Sequence, residues 1–251
     1  MEAILGFLLK QIFTKSVSAL WEHKGFLSLY IRTLLGPYRN KKIRFSLSYL
    51  IRIRIPNTDR YLLVPNRRIG NQLQPVGGVY KRYGDDKLFE SWNYQSDSKE
   101  NGLGTDFWSE QDLRFRITGK HTIKAIKWFE EGKEREVSID REFYEELIQP
   151  GVLDAEVFSQ IRYKHLKRFS KNLKWSDYHQ CFEVLIYDVF DFLPSELQKK
   201  ALTELDQKAT DLNDKFVIVE CEDIEKLRLC SKGYQIAKIG QHTKLIINQT
   251  F

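Results

Sequence analysis

The stretch RFSLSYLIRIRI, residues 44–55, alternates apolar and polar side chains. Its apolar positions are Phe45, Leu47, Tyr49, Ile51, Ile53 and Ile55, and between them stand Ser46, Ser48, Arg52 and Arg54. A period of two residues predicts a β-strand that turns one face toward a core. The apolar face of such a strand has to be covered by helices or by a second sheet, and the remaining elements are interpreted around it.

The segments that follow this strand read as a hairpin, a loop and further strands. Residues 56–59 (PNTD) predict a turn and residues 60–66 (RYLLVPN) a second strand, so the two strands form a hairpin. QPVGGVYKRYG, residues 74–84, is a glycine-bearing loop that enters another extended piece. Further along the chain we expect an irregular loop over 84–112, a strand over 114–118, a helix or a strand over 121–136, and a helix over 139–148.

The second half of the chain predicts a long hairpin followed by short elements. The hairpin strands are expected over 156–169 and 179–192, and a helix starts after Pro194 and runs to about residue 209. The expected elements after it are a strand over 216–221, a short helix over 222–230, and strands over 234–239 and 243–248. Mixed strands with few helices predict an α+β fold in which helices pack against a mixed sheet.

The N-terminal 40 residues predict a separate helical extension. Two helices are expected over residues 2–36, with a break near Lys24-Gly25 and an end at Gly36-Pro37. Lys10 and Lys15 interrupt the first apolar run, which is much shorter than the about 20 residues of a membrane span. We expect this extension to pack on the domain or to contact an effector or a membrane-associated protein.

Composition and cysteine content limit the classes of function. The net charge of +6 fits a partner that carries phosphates, but no nucleic-acid-binding motif is recognisable, so DNA is not expected as a partner. Cys181, Cys221 and Cys230 are far apart, which supports neither a zinc site nor a disulfide framework. A reducing cytoplasm is therefore the expected compartment.

The segment REFYEE, residues 141–146, concentrates three carboxylates on one turn of a predicted helix. Glu142, Glu145 and Glu146 are spaced i, i+3 and i+4, so they share a face. The opposite face carries Ile139, Phe143 and Leu147. Carboxylate oxygens are the ligands that Mg²⁺ prefers, and Arg141 is suited to orient one carboxylate through a two-pronged contact. The alternative is an ordinary solvated helix face.

This segment resembles the second half of the Nudix box, whose pattern is GX5EX7REUXEEXGU. The loop QPVGGVYKRYG resembles the Pro-Gly-Gly loop that opens the box, with Val76 inserted. Arg141 follows Gly78 by 63 positions against 14 in the pattern, which implies an insertion of 49 residues. The first box glutamate is missing, because its place falls on Gly84, which is followed by Asp85 and Asp86.

The split box with PVGGVYK is similar to the SMODS-associated Nudix domain, a divergent branch found in bacterial anti-phage (CBASS) systems beside enzymes that make cyclic oligonucleotides. The resemblance covers roughly residues 40–251. It implies a Nudix-like α/β/α sandwich with a mixed sheet over residues 41–251, a long insertion within the box at roughly 85–137, and the helical extension over 1–40.

The resemblance implies two alternative functions. In a hydrolase, Glu142, Glu145 and Glu146 would hold Mg²⁺ beside Arg141, and Asp85 or Asp86 would replace the lost glutamate. In a sensor, the same pocket would bind a nucleotide or cyclic oligonucleotide without cutting it and switch a partner. A scaffold or nucleic-acid-binding protein with a decayed Nudix core is the third alternative.

Glycines, basic residues and aromatic residues are the predicted nucleotide contacts. Gly77 and Gly78 would let the backbone approach the ligand. Around the glycine loop the predicted contacts are Arg60, Arg67, Arg68, Tyr80, Lys81 and Arg82. In RYKHLKRFSKNLKW, residues 162–175, basic residues that include Arg162 and Lys164 alternate with aromatic rings, a pattern that suits phosphates and bases. That segment is equally well explained as the solvated face of a strand pair.

Overall fold

A computed structural model describes residues 27–83, 87–97, 111–209 and 214–250 of the protein. The expectations for residues 1–26, for Asp85 and Asp86, and for most of the predicted loop over 84–112 therefore lie outside the described residues.

The predicted central strand, β1 (Lys42–Arg52), is the hub of the larger sheet. It pairs in parallel with β8 (Cys181–Phe192) along one side. On its other side it pairs antiparallel with β6 (Arg114–Thr118) near its start and with β4 (Val76–Val79) near its end. β5 (Gln95–Ser96) and β7 (Tyr163–Ser176) complete the order β5-β6-β1-β8-β7, with β4 on β1. The sheet is mixed, as predicted.

A second sheet contains shorter strands, in the order β10-β11-β3-β2-β9. Their bounds are β2 Arg60–Pro65, β3 Gln72–Gln74, β9 Val217–Glu220, β10 Arg228–Ser231 and β11 Tyr234–Ile239.

The described α-helices are α1 (Leu27–Tyr30), α2 (Lys87–Glu90), α3 (Thr122–Glu131), α4 (Asp140–Phe143), α5 (Glu196–Lys208) and α6 (Cys221–Lys226). Two of them continue as π-helices, α1 over Ile31–Leu35 and α4 over Tyr144–Ile148.

Both faces of β1 are buried. The apolar face of β1, from Phe45 to Ile53, packs with Phe129 of α3, Phe143 of α4 and Leu202 of α5 in the main core. On the other face, Leu50 and Val189 join the second sheet in a smaller core. Ser46 and Ser48 are buried as well. The polar face of β1 is thus covered by the second sheet, and the fold is α+β with mixed sheets and helices.

The long segment between the two halves of the predicted box is part of the core. It supplies β6, whose Phe115 and Ile117 are fully buried, and α3, which buries Ala125 and Phe129. The ambiguous stretch over 121–136 is therefore mainly helical, and its helix ends at Gly132 in a left-handed conformation with φ +70°.

Several predicted elements differ from the structure. The first hairpin strand is predicted over 156–169, but β7 begins at Tyr163 and continues to Ser176. The predicted strand over 243–248 is wrong, because Gln241–Ile247 forms a 3-10 helix. Its consecutive buried residues Leu245 and Ile246 have no period that separates a strand from a helix.

The described part of the N-terminal extension packs on the domain. Leu29 lies in the main core, and the hydroxyl of Thr33 donates to the carbonyl of Leu29 at 2.8 Å. The helical segment ends at Gly36, as predicted. Among the described residues, none of the helices has the length and apolar character needed to cross a membrane.

Candidate functional site

A cleft of about 580 Å³ opens between the two sheets. Its volume falls in the range of small-molecule sites, roughly 300–1,000 Å³. One wall is formed by Gly77, Gly78 and the glutamates of the α4 segment, and the facing wall by the β2–β3 loop with Arg67 and Arg68. The larger sheet contributes the floor, with Ser46, Ser48, Arg114 and Tyr187, and His242 closes the far end.

The two predicted glycines lie directly against the predicted glutamates. The backbone N–H of Gly77 donates to Oε2 of Glu146 at 2.9 Å. A Cβ on Gly78 would lie 2.0 Å from Oε1 of Glu142, so the Glu142 carboxylate lies directly against the backbone of β4. Gly77 has φ +143°, and a Cβ there would lie 2.3 Å from the carbonyl oxygen of Tyr49. The structure thus brings together the two halves of the split motif.

The helix that carries the glutamates widens where it reaches the cleft. After Phe143 the chain continues as a π-helix over Tyr144–Ile148, and the N–H of Gln149 donates to the carbonyl of Tyr144 at 2.8 Å. Single π-helical turns inside α-helices occur frequently at functional sites. Here the turn carries Glu145 and Glu146, while Phe143 and Leu147 anchor it in the main core.

Arg141 is the centre of the charge network on this wall. Its guanidinium donates to both carboxylate oxygens of Glu136, at 2.9 and 3.0 Å, and to Oε1 of Glu142 at 2.6 Å. It also donates to the carbonyl of Val79 at 3.1 Å, which ties it to β4. Burial alone would lower the pKa of Arg141, but the hydrogen bonds to Glu136 and the charge of Glu142 raise it.

Glu136 is a site residue that the sequence analysis missed. It is 3% exposed, and besides Arg141 it accepts the backbone N–H of Lys81 at 3.2 Å. It therefore joins the Arg141 segment to the chain that follows the glycines. It was not recognised from the sequence because it precedes Arg141 by five positions, whereas the first glutamate of the box pattern precedes the arginine by eight.

Glu146 is a carboxylate held in an unfavourable environment. Burial raises its pKa to about 8, and the nearby charge of Glu142 adds to this, while the Gly77 hydrogen bond opposes it. Glu145 is the most open of the three glutamates, with a side-chain exposure of 39% against 13% for Glu142. The wall therefore carries one carboxylate whose charge is poorly compensated by protein groups.

The donor chemistry of Glu142, Glu145 and Glu146 suits Mg²⁺, but their present contacts do not form a ligand set. Within the described residues, no three histidine, cysteine, aspartate or glutamate side chains are grouped so as to hold a metal ion. Glu142 is bonded to Arg141 and Glu146 to Gly77. These contacts would have to rearrange before the three carboxylates could share a cation.

Basic side chains line the rest of the cleft. Arg67 donates to the backbone carbonyl of Glu145 at 2.9 Å, so it joins the two walls. Lys81 lies 2.6 Å from Asp112, and Arg114 lies 3.7 Å from the same carboxylate. Burial lowers the pKa of Arg114. Arg114 and Asp112 were not predicted, although the alternation of RFRIT places Arg114 opposite the core-facing Phe115.

Other predicted nucleotide contacts lie away from the cleft. Tyr80 is buried, and its hydroxyl donates to Asp188 at 2.9 Å. Arg82 lies over the rings of Phe89 and Tyr94. Arg60 pairs with Asp206. Tyr80 and Arg82 flank the cleft-lining Lys81 in the extended chain after β4, so alternation directs both side chains away from the cleft.

The basic hairpin is also separate from the cleft. Arg162 precedes β7 and is exposed, and Lys164 lies on that outer strand, 3.6 Å from Asp191. Neither side chain lines the cleft. The placement of Arg162 and Lys164 favours the alternative interpretation, a solvated face of a strand pair.

The protein combines a mixed sheet with β4, which carries Gly77 and Gly78, and a glutamate-bearing helix that packs against β4. These features define a domain of the Nudix class. The family model of the SMODS-associated NUDIX domain matches residues 42–247, and the chain belongs to this family. No curated protein and no solved structure matches the chain.

Proposed function

We propose that the cleft binds a nucleotide and that the domain senses a nucleotide or cyclic oligonucleotide second messenger in bacterial anti-phage defence. Membership of the SMODS-associated NUDIX family supports a role in bacterial anti-phage defence. The basic residues that face the cleft, Arg67, Arg68, Lys81 and Arg114, support a ligand that carries phosphates.

The observation that carries this proposal is the use of the glutamates as structural contacts. Glu142 is bonded to Arg141, and Glu146 accepts the N–H of Gly77. Both carboxylates hold the helix against the glycine strand and shape the wall of the cleft. Glutamates engaged in such contacts suit the wall of a site that binds a ligand without cutting it.

A Mg²⁺-dependent hydrolase acting on a nucleoside diphosphate-linked substrate is the alternative. The raised pKa of Glu146 favours it, because a cation beside a buried carboxylate would compensate its charge. Glu142, Glu145 and Glu146 would hold the ion, and the ion would activate water and neutralise phosphate charge. Arg141 would keep Glu142 oriented through its bond to Glu136.

The two functions are separated by one experiment. The protein is incubated with Mg²⁺ or Mn²⁺ and a panel of dinucleoside, capped and cyclic nucleotides, and both products and thermal shifts are recorded. A thermal shift with a cyclic nucleotide and no product supports the sensor. Turnover that disappears in Glu145→Gln and Glu146→Gln overturns it in favour of the hydrolase.

A panel that gives neither products nor shifts would overturn both functions and leave a scaffold. In that case the partner-binding role proposed for residues 1–40, toward an effector or a membrane-associated protein, becomes the main candidate. The basic residues Arg162 and Lys164 do not enter this comparison, because neither of them lines the cleft.

A further inference from the structure

The floor of the cleft differs chemically from its walls. Apart from Arg114, the floor carries the hydroxyls of Ser46 and Ser48 and the ring of Tyr187, and the ring of His242 adjoins them at the end of the cleft, whereas the walls carry charged groups. The rings of Tyr187 and His242 are nearly parallel, with an interplanar angle of 7° and centroids 6.2 Å apart. Aromatic faces and small hydroxyls suit the recognition of a flat heteroaromatic group better than that of a phosphate.

Strand register fixes where these groups lie relative to the basic residues. Ser46 pairs with Arg114 across one side of β1, and Ser48 pairs with Tyr187 across the other. Arg114 and Tyr187 are therefore two strand spacings and two residues apart, on the order of 12 Å between Cα atoms. Both project from the same face of the sheet, because paired residues share a face. A nucleoside diphosphate has a comparable extent between its base and its terminal phosphate.

The polar groups on the floor can accept new hydrogen bonds. Within the described parts of the chain, the hydroxyls of Ser46 and Ser48 have no hydrogen-bond partner, and both residues line the cleft. Burial lowers the pKa of His242 to about 4, so its ring is neutral and offers one donor and one acceptor. These groups can satisfy the edge of a base without placing a charge against it.

From this arrangement we propose that Ser46, Ser48, Tyr187 and His242 form the subsite for the nucleobase, and that Arg114, Lys81 and Arg68 take the phosphates. The proposal rests on the proposed nucleotide-binding function and states how the nucleotide lies in the cleft. The base stacks on the aromatic floor, and the phosphates extend toward the glycine strand and the β2–β3 loop.

The test compares ligands that have a base with one that has none. Binding of nucleoside diphosphates and cyclic dinucleotides with each base, and of inorganic pyrophosphate, is measured by calorimetry. We expect Tyr187→Leu to weaken nucleotide binding roughly 10-fold or more, as the loss of a stacked ring does, and to leave pyrophosphate binding within about 2-fold. Tyr187→Phe keeps the ring and should bind like the wild type.

Tyr234→Leu is the matched control, because Tyr234 is 78% exposed and does not line the cleft. Equal losses for nucleotides and pyrophosphate in Tyr187→Leu, or no loss at all, would overturn the base subsite. Wild-type protein that binds pyrophosphate as tightly as nucleotides would also overturn it while the phosphate-binding cleft stands. Wild-type protein that binds none of these ligands would defeat the proposed function itself.

A second variant covers the case in which Tyr187→Leu does not fold, as judged by circular dichroism. The double variant Ser46→Ala, Ser48→Ala removes two hydroxyls with little change in volume. We expect the ratios of the Kd values for nucleotides with different bases to change several-fold. The Kd for pyrophosphate should stay unchanged. Unchanged ratios of these Kd values would then overturn the proposal.

Discussion

Gly77 donates its backbone N–H to Glu146, a residue 69 positions further along the chain, at 2.9 Å. This hydrogen bond joins the strand of the glycine loop to the helix of the glutamates. The next glycine, Gly78, meets Glu142, where a Cβ would lie 2.0 Å from the carboxylate. The two halves of the split motif therefore form one wall, although the whole of β6 and α3 intervenes in the sequence.

Gly77→Ala should destabilise the fold strongly. The new Cβ would lie 2.3 Å from the carbonyl oxygen of Tyr49, and φ at this position is +143°. We expect a loss of roughly 2–4 kcal/mol in the free energy of unfolding, because neither the backbone of β1 nor that of β4 can move away. Denaturant unfolding measures it. Gly70→Ala is the control, since a Cβ there meets nothing within 4 Å, and an equal loss in both variants would contradict the prediction.

Glu136→Gln should loosen the Arg141 segment. Glu136 is buried and accepts two hydrogen bonds from Arg141, so its removal leaves a half-buried guanidinium with less compensation. Breaking such a pair costs about 3 kcal/mol. Thermal unfolding and ligand titration would show a lower Tm and weaker binding. Glu134→Gln, at an exposed position two residues earlier, should change neither, and a wild-type Tm for Glu136→Gln would refute the role.

Glu146→Gln should stabilise the protein in the absence of ligand, and the effect should depend on pH. The folded pKa of Glu146 is raised to about 8 from the usual value of 4.5, so the wild type loses stability as pH rises between these values. The loss is complete once pH exceeds the folded pKa, and at pH 7 we expect it to be about 3 kcal/mol. The variant keeps an oxygen that accepts from Gly77 and has no charge to bury.

Unfolding of wild type and Glu146→Gln between pH 5 and pH 8.5 tests this relationship. The curves should differ least near pH 5 and separate as pH rises. Glu145→Gln is the matched control because its side chain is more open to solvent. Parallel curves for the wild type and Glu146→Gln would show that the folded pKa of this carboxyl is not raised.

Arg68→Gln should weaken the binding of phosphate-bearing ligands, whereas Arg162→Gln should not. Arg68 faces the cleft, and Arg162 lies beside the outer strand β7. Loss of one charged hydrogen bond to a phosphate corresponds to about a 10-fold change in Kd. Titration of pyrophosphate and of a nucleoside diphosphate into both variants measures the change in Kd. A larger loss of affinity in Arg162→Gln would indicate that the ligand binds at the hairpin.

Much of the secondary structure follows from local pattern. The alternation over 44–55 placed β1 and its buried face, and the strands over 216–221 and 234–239 and the helix after Pro194 are also confirmed. Helix α5 has both hydrogen bonds of a capping box between Ser195 and Gln198, a signal that is local by nature. The strand predicted over 243–248 is wrong because its apolar residues are consecutive and do not distinguish a strand from a helix. In the structure this segment is buried as a 3-10 helix.

The sequence by itself determined the central strand, the glutamate-bearing helix and the likeness of the split motif to its family, because these depend on neighbouring residues and their spacing. Only the tertiary structure decided that Glu136 partners Arg141 and that Arg114, Tyr187 and His242 share the cleft. Arg114, Tyr187 and His242 come from segments that are distant in the chain, and the meeting of Arg114 and Tyr187 depends on sheet register. A one-residue shift in pairing would turn each strand's side chains to the opposite face, which local sequence pattern does not encode.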